Sequence, residues 1–149
     1  MAKIELHPDF KDFLRLLTSH NVKYLLVGGY AVGYHGYPRA TGDMDIWIER
    51  SESNSKKIVS AFHDFGMTGA GISEHLFLEK NKVIRMGVPP VRLEVITSAS
   101  GVNFNECYSN REVMEIDGIM INFISLQDLK NNKHAAGRHK DMDDLEHLP

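Results

Sequence analysis

At 149 residues, with 42% hydrophobic and 25% charged side chains, the chain has the size and composition of one globular domain able to bury a core without disulfides. Its net charge of −3 gives no whole-chain case for nucleic acid or an anionic membrane as partner, although a local basic patch stays open. A lone cysteine, Cys107, excludes an internal disulfide framework and a cysteine-based zinc cluster, and it suits a reducing compartment.

The segment from Met1 to Asp9 has no apolar stretch of the kind a secretory signal carries, and no apolar run approaches membrane-spanning length. A cytoplasmic protein without a membrane partner is therefore expected, with residues 1–149 as a single domain.

Pro8 followed by Phe10, Phe13, Leu14 and Leu17 has helical spacing and predicts a helix ending near Asn21. The apolar run Val22–Val27 suits a buried strand. It leads into Gly28-Gly29 and a short helix over Tyr30–His35. A second strand is predicted over Asp43–Glu49. Ser51 or Ser53 can cap a helix striped by Ile58, Val59, Phe62 and Phe65, with Gly66 as its stop. The middle of the chain reads as strands over Glu74–Glu79, Val83–Met86 and Val91–Ile96, divided by a turn at Asn81 and by Pro89-Pro90. Asp117-Gly118 between Val113–Ile116 and Ile119–Phe123 signals a two-residue hairpin. Ser125 with Asp128 reads as a capping box, and a further short helix is expected after Gly137. The order of elements predicts an α+β fold, a mixed sheet flanked by helices, not a regular doubly wound one.

The chemistry concentrates in Val27-Gly28-Gly29 and Gly42-Asp43-Met44-Asp45-Ile46. Alternation along a strand puts Asp43 and Asp45 on one face, their Cα atoms about 6–7 Å apart, close enough to share a divalent ion or a pair of ions. Glycines let a backbone approach a phosphate closely. Asp disfavours strands, so two on one face call for a reason. Glu94 stands in the apolar run Val91–Ile96, on the face of Arg92 and Ile96. It can join the aspartates if the two strands are neighbours, or pair with Arg92 on a solvated face. Trp47 shares the aspartates' face and can line a base pocket or pack in the core. Lys130, Lys133, Arg138 and Lys140, with His134 and His139, make a basic segment that could meet RNA, yet Asp141, Asp143, Asp144 and Glu146 nearly neutralise it.

The hydrophobic-Gly-Gly pattern, a thirteen-residue gap, then Asp43-Met44-Asp45 resembles the signature of the polymerase-beta-like nucleotidyltransferase superfamily. The surroundings of Asp43, the stretch Glu94–Ser98 and the tail from Lys133 to Leu145 are similar to its small bacterial branch related to abortive-infection toxin nucleotidyltransferases. The likeness runs from about residue 22 to 148. It implies Gly28, Gly29, Arg39, Thr41 and Lys133 at the nucleotide and Asp43, Asp45 and Glu94 as metal ligands. Glu94 stands where that branch more often has Asp. Lys133 and Asp141 match positions regarded as functional in the toxin members, though Asp141 can equally be a structural partner of Lys133 or Arg138.

The implied reaction is transfer of a nucleoside monophosphate from an NTP to RNA, a protein or a small molecule. The implied cofactors are two Mg2+ (or Mn2+) ions bound with the NTP, the three carboxylates holding one ion, with Glu94 as base, and the aspartates holding the other. A toxin–antitoxin or phage-defence role, a homodimer and a partner protein are further expectations of the likeness. The alternative is an inactive fold member serving as a nucleotide-binding or protein-partner module.

Overall fold

A short helical stretch needs caps and an apolar face, and α1 (Pro8–Ser19) has both: His7 Nδ1 accepts from the Asp9 amide at 3.1 Å, Pro8 starts the first turn, and Phe10, Phe13, Leu14 and Leu17 are buried. The computed structural model describes residues 6–67, 69, 71–88 and 91–149. The Pro89-Pro90 turn lies outside them. β1 (Tyr24–Val27) is buried at every position, as a strand covered on both faces must be. α2 (Gly28–Tyr34) follows without a loop, so the two glycines form its first turn and do not precede it.

β2 (Asp43–Ile48) buries Met44, Ile46 and Ile48 while Asp43 and Asp45 are half-buried on the opposite face. α3 (Glu52–Asp64) is capped by Ser51, whose hydroxyl accepts from the Asn54 amide; Ser53 lies inside the helix. Gly66, at φ +97°, closes its C-terminal end. The strand expected over Glu74–Glu79 is absent: Leu76–Leu78 forms one 3-10 turn, anchored by Phe77 against Phe62 with ring centroids 5.1 Å apart. β3 (Val83–Val88) runs two residues beyond its expected end, and β4 (Val91–Ile96) matches expectation. Between β4 and the hairpin lies α4 (Phe104–Ser109), which the pattern did not predict. β5 (Glu112–Ile116) and β6 (Ile119–Phe123) turn through Asp117-Gly118, both at positive φ. α5 (Leu126–Ala136), capped by Ser125, and α6 (His139–His147) complete the described chain.

The six strands lie in the order β3-β4-β2-β1-β6-β5. The β2–β4 and β1–β6 pairs are parallel, whereas β1–β2, β3–β4 and β5–β6 are antiparallel. This is the expected mixed α+β sheet. α1 meets α3, β4 and β6, and the Phe13 ring stands edge-on to Phe62 and Phe65. α2 touches β1, β2 and α5, and α5 packs on α6. No helix among the described residues is long and apolar enough to cross a membrane.

Candidate active site

Two parallel strands bring the acidic residues together. In the β2–β4 register Asp43 lies beside Arg92 and Asp45 beside Glu94, and in the β3–β4 register Glu94 lies beside Arg85. Period-2 alternation then puts Asp43, Asp45, Arg92, Glu94 and Arg85 on one face. One carboxylate oxygen from each of Asp43, Asp45 and Glu94 lies within 4.8 Å of the others. The face is not purely acidic. Arg92 clamps Asp43 with Nε and Nη2 at 2.7 and 2.9 Å and stands 3.3 Å from Glu94, while Arg85 Nε donates to Glu94 Oε1 at 2.9 Å. The two readings of Glu94 thus coexist: it flanks the aspartates, and it pairs with arginines.

The environments split the two aspartates. The Arg92 hydrogen bonds hold the Asp43 carboxyl below its ordinary range. Burial, then the hydrogen bond and charge of Glu94 beside it, push Asp45 up to about 7. Two carboxylates that cannot both ionise comfortably in one place are a receptive setting for a divalent cation. Hard oxygen donors on a half-exposed face suit Mg2+ or Mn2+, so the residues present fit that group.

Gly28 explains itself here. It has φ +65°, and a Cβ added to it would sit 2.0 Å from Asp45 Oδ2. A Cβ on Gly29 would sit 2.7 Å from Thr41 Oγ1. The glycine pair therefore lets α2 begin directly against the aspartate strand. Thr41 hydroxyl donates to the Asp43 carbonyl at 3.1 Å and so shapes the approach to β2.

A cleft of about 420 Å³ opens beside Asp45, bounded by Gly28, Arg85, Glu94, Lys133 and Arg138. Its floor is ionic. Lys133, with its side chain 3% exposed, pairs with Asp141 at 3.1 Å and Asp144 at 2.8 Å. Arg39, from the segment before β2, grips Asp144 through Nε and Nη2 at 2.7 and 2.9 Å. Arg138 does the same to Asp141 through Nε and Nη2 at 2.7 and 3.2 Å. Three cations and two carboxylates form one network, buried at Lys133, Asp141 and Asp144 and exposed at Arg138, that ties the segment before β2 to α5 and α6. Burial alone would raise both carboxyls, but the hydrogen bonds from Arg138 and Lys133 to Asp141, and from Arg39 and Lys133 to Asp144, outweigh it and lower them.

The expected site residues thus fall into two groups. Asp43, Asp45, Glu94 and Gly28 meet at one end of the cleft. Lys133, Asp141 and Arg39 are engaged with one another's partners below it, Arg39 by Asp144 and Lys133 by both acids. Arg85, Arg92, Arg138 and Asp144 were not singled out from sequence as site residues. The period-2 pattern on β3 and β4 was the available signal for the first two. Trp47 packs edge-on to Phe104 with ring centroids 5.1 Å apart and is 3% exposed, so it is a core residue. His35 is likewise engaged, its Nε2 2.7 Å from the Ile124 carbonyl oxygen.

Among solved structures, a candidate nucleotidyltransferase from Thermotoga maritima is similar at a TM-score of 0.61, with 14% identity over 95% of this chain and 93% of that one. An antigenic nucleotidyltransferase-like protein from Paracoccidioides brasiliensis is similar at 0.51, with 16% identity over 93% and 72%. At such identities the likeness speaks for the fold. No curated protein sequence matches the chain. The superfamily expected from sequence is supported, and nothing singles out its abortive-infection branch. Over residues 9–148 the chain matches the model of one family, and it belongs to that family, the nucleotidyltransferases of unknown function DUF6036.

Proposed function

We propose that the protein is a metal-dependent nucleotidyltransferase that moves a nucleoside monophosphate from an NTP to an acceptor hydroxyl. The observation that carries this reading is the meeting of Asp43, Asp45 and Glu94 within 4.8 Å, against the Gly28 turn, in a chain of a nucleotidyltransferase family. Asp43, Asp45 and Glu94 would hold the metal. When bound, Mg2+ or Mn2+ would supply charge neutralisation at the phosphates and acidify the acceptor hydroxyl.

The residues of the chain supply the rest. Gly28 and Gly29, by carrying no Cβ, let Asp45 and Thr41 pack against the first turn of α2, and in this reading that turn meets the triphosphate through its backbone. In this reading Glu94 takes the acceptor proton. Lys133 and Asp141, with Arg39 and Thr41, hold the walls of the cleft in place, so that charge developing on the expelled pyrophosphate meets a preorganised field. The acceptor is RNA, a protein or a small molecule, and the setting to examine is a cytoplasmic toxin–antitoxin or phage-defence pair, with homodimerisation or a partner protein completing the acceptor side.

A second reading is favoured by one observation: Arg92 and Arg85 already neutralise Asp43 and Glu94. In that reading the chain is a fold member whose acidic face is self-satisfied, and it acts as a nucleotide-binding or partner module. Labelled NTPs with Mg2+ or Mn2+ and candidate acceptors separate the two. Transfer that is lost in Asp43→Asn/Asp45→Asn supports the enzyme; transfer unchanged in that variant refutes these ligands. Absence of both transfer and Mn2+ binding in the wild type supports the module.

A further inference from the structure

We propose that Arg85 and Arg138, which line the same cleft from β3 and from the entry to α6, are the residues that grip the polyphosphate of the substrate, in place of Lys133 and Arg39. This rests on the nucleotidyltransferase reading. The cleft beside Asp45 is bounded by three cations, Arg85, Lys133 and Arg138. They differ sharply in availability. The Lys133 side chain is 3% exposed and pairs with two carboxylates, while the side chains of Arg85 and Arg138 are 57% and 65% exposed. An ammonium so buried and so paired can shape the cleft, yet drawing it out to a ligand would leave Asp141 and Asp144 short of a counter-charge in a dry place. Arg39 is committed more fully than Arg138: its side chain is only 20% exposed, Nε and Nη2 go to Asp144, and Nη1 donates to the Ala40 carbonyl, so no outer edge is left for a phosphate.

The two exposed arginines are placed differently. Arg85 lies on β3 directly across from Glu94 and touches it with Nε at 2.9 Å; among the described residues its remaining guanidinium N–H groups make no protein hydrogen bond. Arg138 stands at the entry to α6, its guanidinium braced on Asp141 through Nε and Nη2, which fixes its direction. A planar fork braced by one carboxylate and open on its outer edge is the geometry that recognises phosphate oxygens in pairs. Arg85 from β3 and Arg138 from the entry to α6 line one cleft with Asp45 and Glu94, so a polyphosphate entering it meets both guanidinium groups. The third charge in the cleft, Lys133, then acts as a positioning residue beneath it.

The test is calorimetric titration of inorganic tripolyphosphate into wild type, Arg85→Gln, Arg138→Gln and the double variant. Mn2+ binding is followed on the same proteins by electron paramagnetic resonance. Each single variant is expected to bind tripolyphosphate about tenfold more weakly, and the double variant about a hundredfold, because each loses a charge-assisted hydrogen-bonding fork. Arg85→Lys and Arg138→Lys should recover only part of the loss. Mn2+ binding should survive in all of them, which a collapse of the site would not allow. Tripolyphosphate binding equal to wild type in the double variant overturns the proposal, as does a wild type that does not bind it. Loss of Mn2+ along with tripolyphosphate also overturns it, since the arginines would then be structural. Asp45→Asn is the separate check on the underlying reading: it should lose Mn2+. If it binds Mn2+ like wild type, the carboxylate assignment fails while the arginine result still stands or falls by itself.

Discussion

Replacing Gly28 by alanine separates backbone strain from site geometry. Gly28 has φ +65°, and a Cβ there would lie 2.0 Å from Asp45 Oδ2, 2.9 Å from Cγ and 3.1 Å from Cβ of the same side chain. Holding an alanine in the left-handed region costs about 1–2 kcal/mol. For a chain of this size that lowers Tm by about 2–8 °C. The contact adds a second effect. The carboxylate is the movable end of a side chain, so the cheapest relief is rotation of Asp45 away from Gly28, and that takes it out of the acidic face. Gly28→Ala should therefore bind Mn2+ at least about tenfold more weakly, equivalent to about 1.4 kcal/mol. Gly118→Ala is the matched control: φ is +79°, but nothing lies within 4 Å of the added methyl. It should lose comparable thermal stability and keep Mn2+ binding. Thermal unfolding and Mn2+ paramagnetic resonance on both proteins, with the carboxyl carbon shift of Asp45 by NMR, read the two effects apart. If Gly28→Ala binds Mn2+ like wild type with Asp45 unshifted, the glycine is not there to make room for that carboxylate.

Three other outcomes follow from the geometry. Asp45→Asn removes one of two carboxylates crowded side by side, so without metal the variant should melt about 2–8 °C higher than wild type while losing Mn2+ binding; a lower Tm would contradict the crowding. Asp144→Asn leaves Arg39 without its partner and Lys133 with only Asp141, and breaking such a buried network costs about 3–5 kcal/mol, seen as a Tm fall of about 6–20 °C. Asp141 and Asp144 titrate lower in the folded protein than their ordinary 3.8, so the unfolded chain binds more protons as pH falls; their stabilisation is full at neutral pH and is lost below about pH 5, steepening the acid fall in urea midpoint. Asp141→Asn should flatten that acid slope, and an unchanged slope would show that the pair does not contribute.

The two strands and the shared alternation face of their carboxylates were legible because Val91–Ile96 and Asp43–Ile48 each interrupt an apolar run with acidic residues, while whether the strands are neighbours stayed open. What the pattern could not supply was the direction of the pairing, which decides that Asp45 meets Glu94. Glu74–Glu79 looked like a strand because polar and apolar residues are interleaved there; in fact one side chain, Phe77, reaches the core and a 3-10 turn suffices to deliver it. α4 was missed because it is six residues long with one buried residue, Cys107; its signal was Asn103, whose side chain accepts from the Glu106 amide. Arg39 and Lys133 looked available because their sequence neighbours do not reveal their partners. Asp144 is 105 positions from Arg39, and such pairings are made by the topology.

That separation has a consequence for how the protein comes to be made. Arg39 emerges early and Asp144 late, so a nascent chain still on the ribosome can assemble β1, β2 and β4 and bring the three acids into line while the cations of the floor wait for α6. Contacts so distant along the chain form late because loop closure comes before any gain from them. Lys133 and Arg39 have Asp141 and Asp144 as their counter-charges only once α6 is in place. Shaping of the cleft beside Asp45 thereby waits on the docking of α6, after the acidic strands have come together.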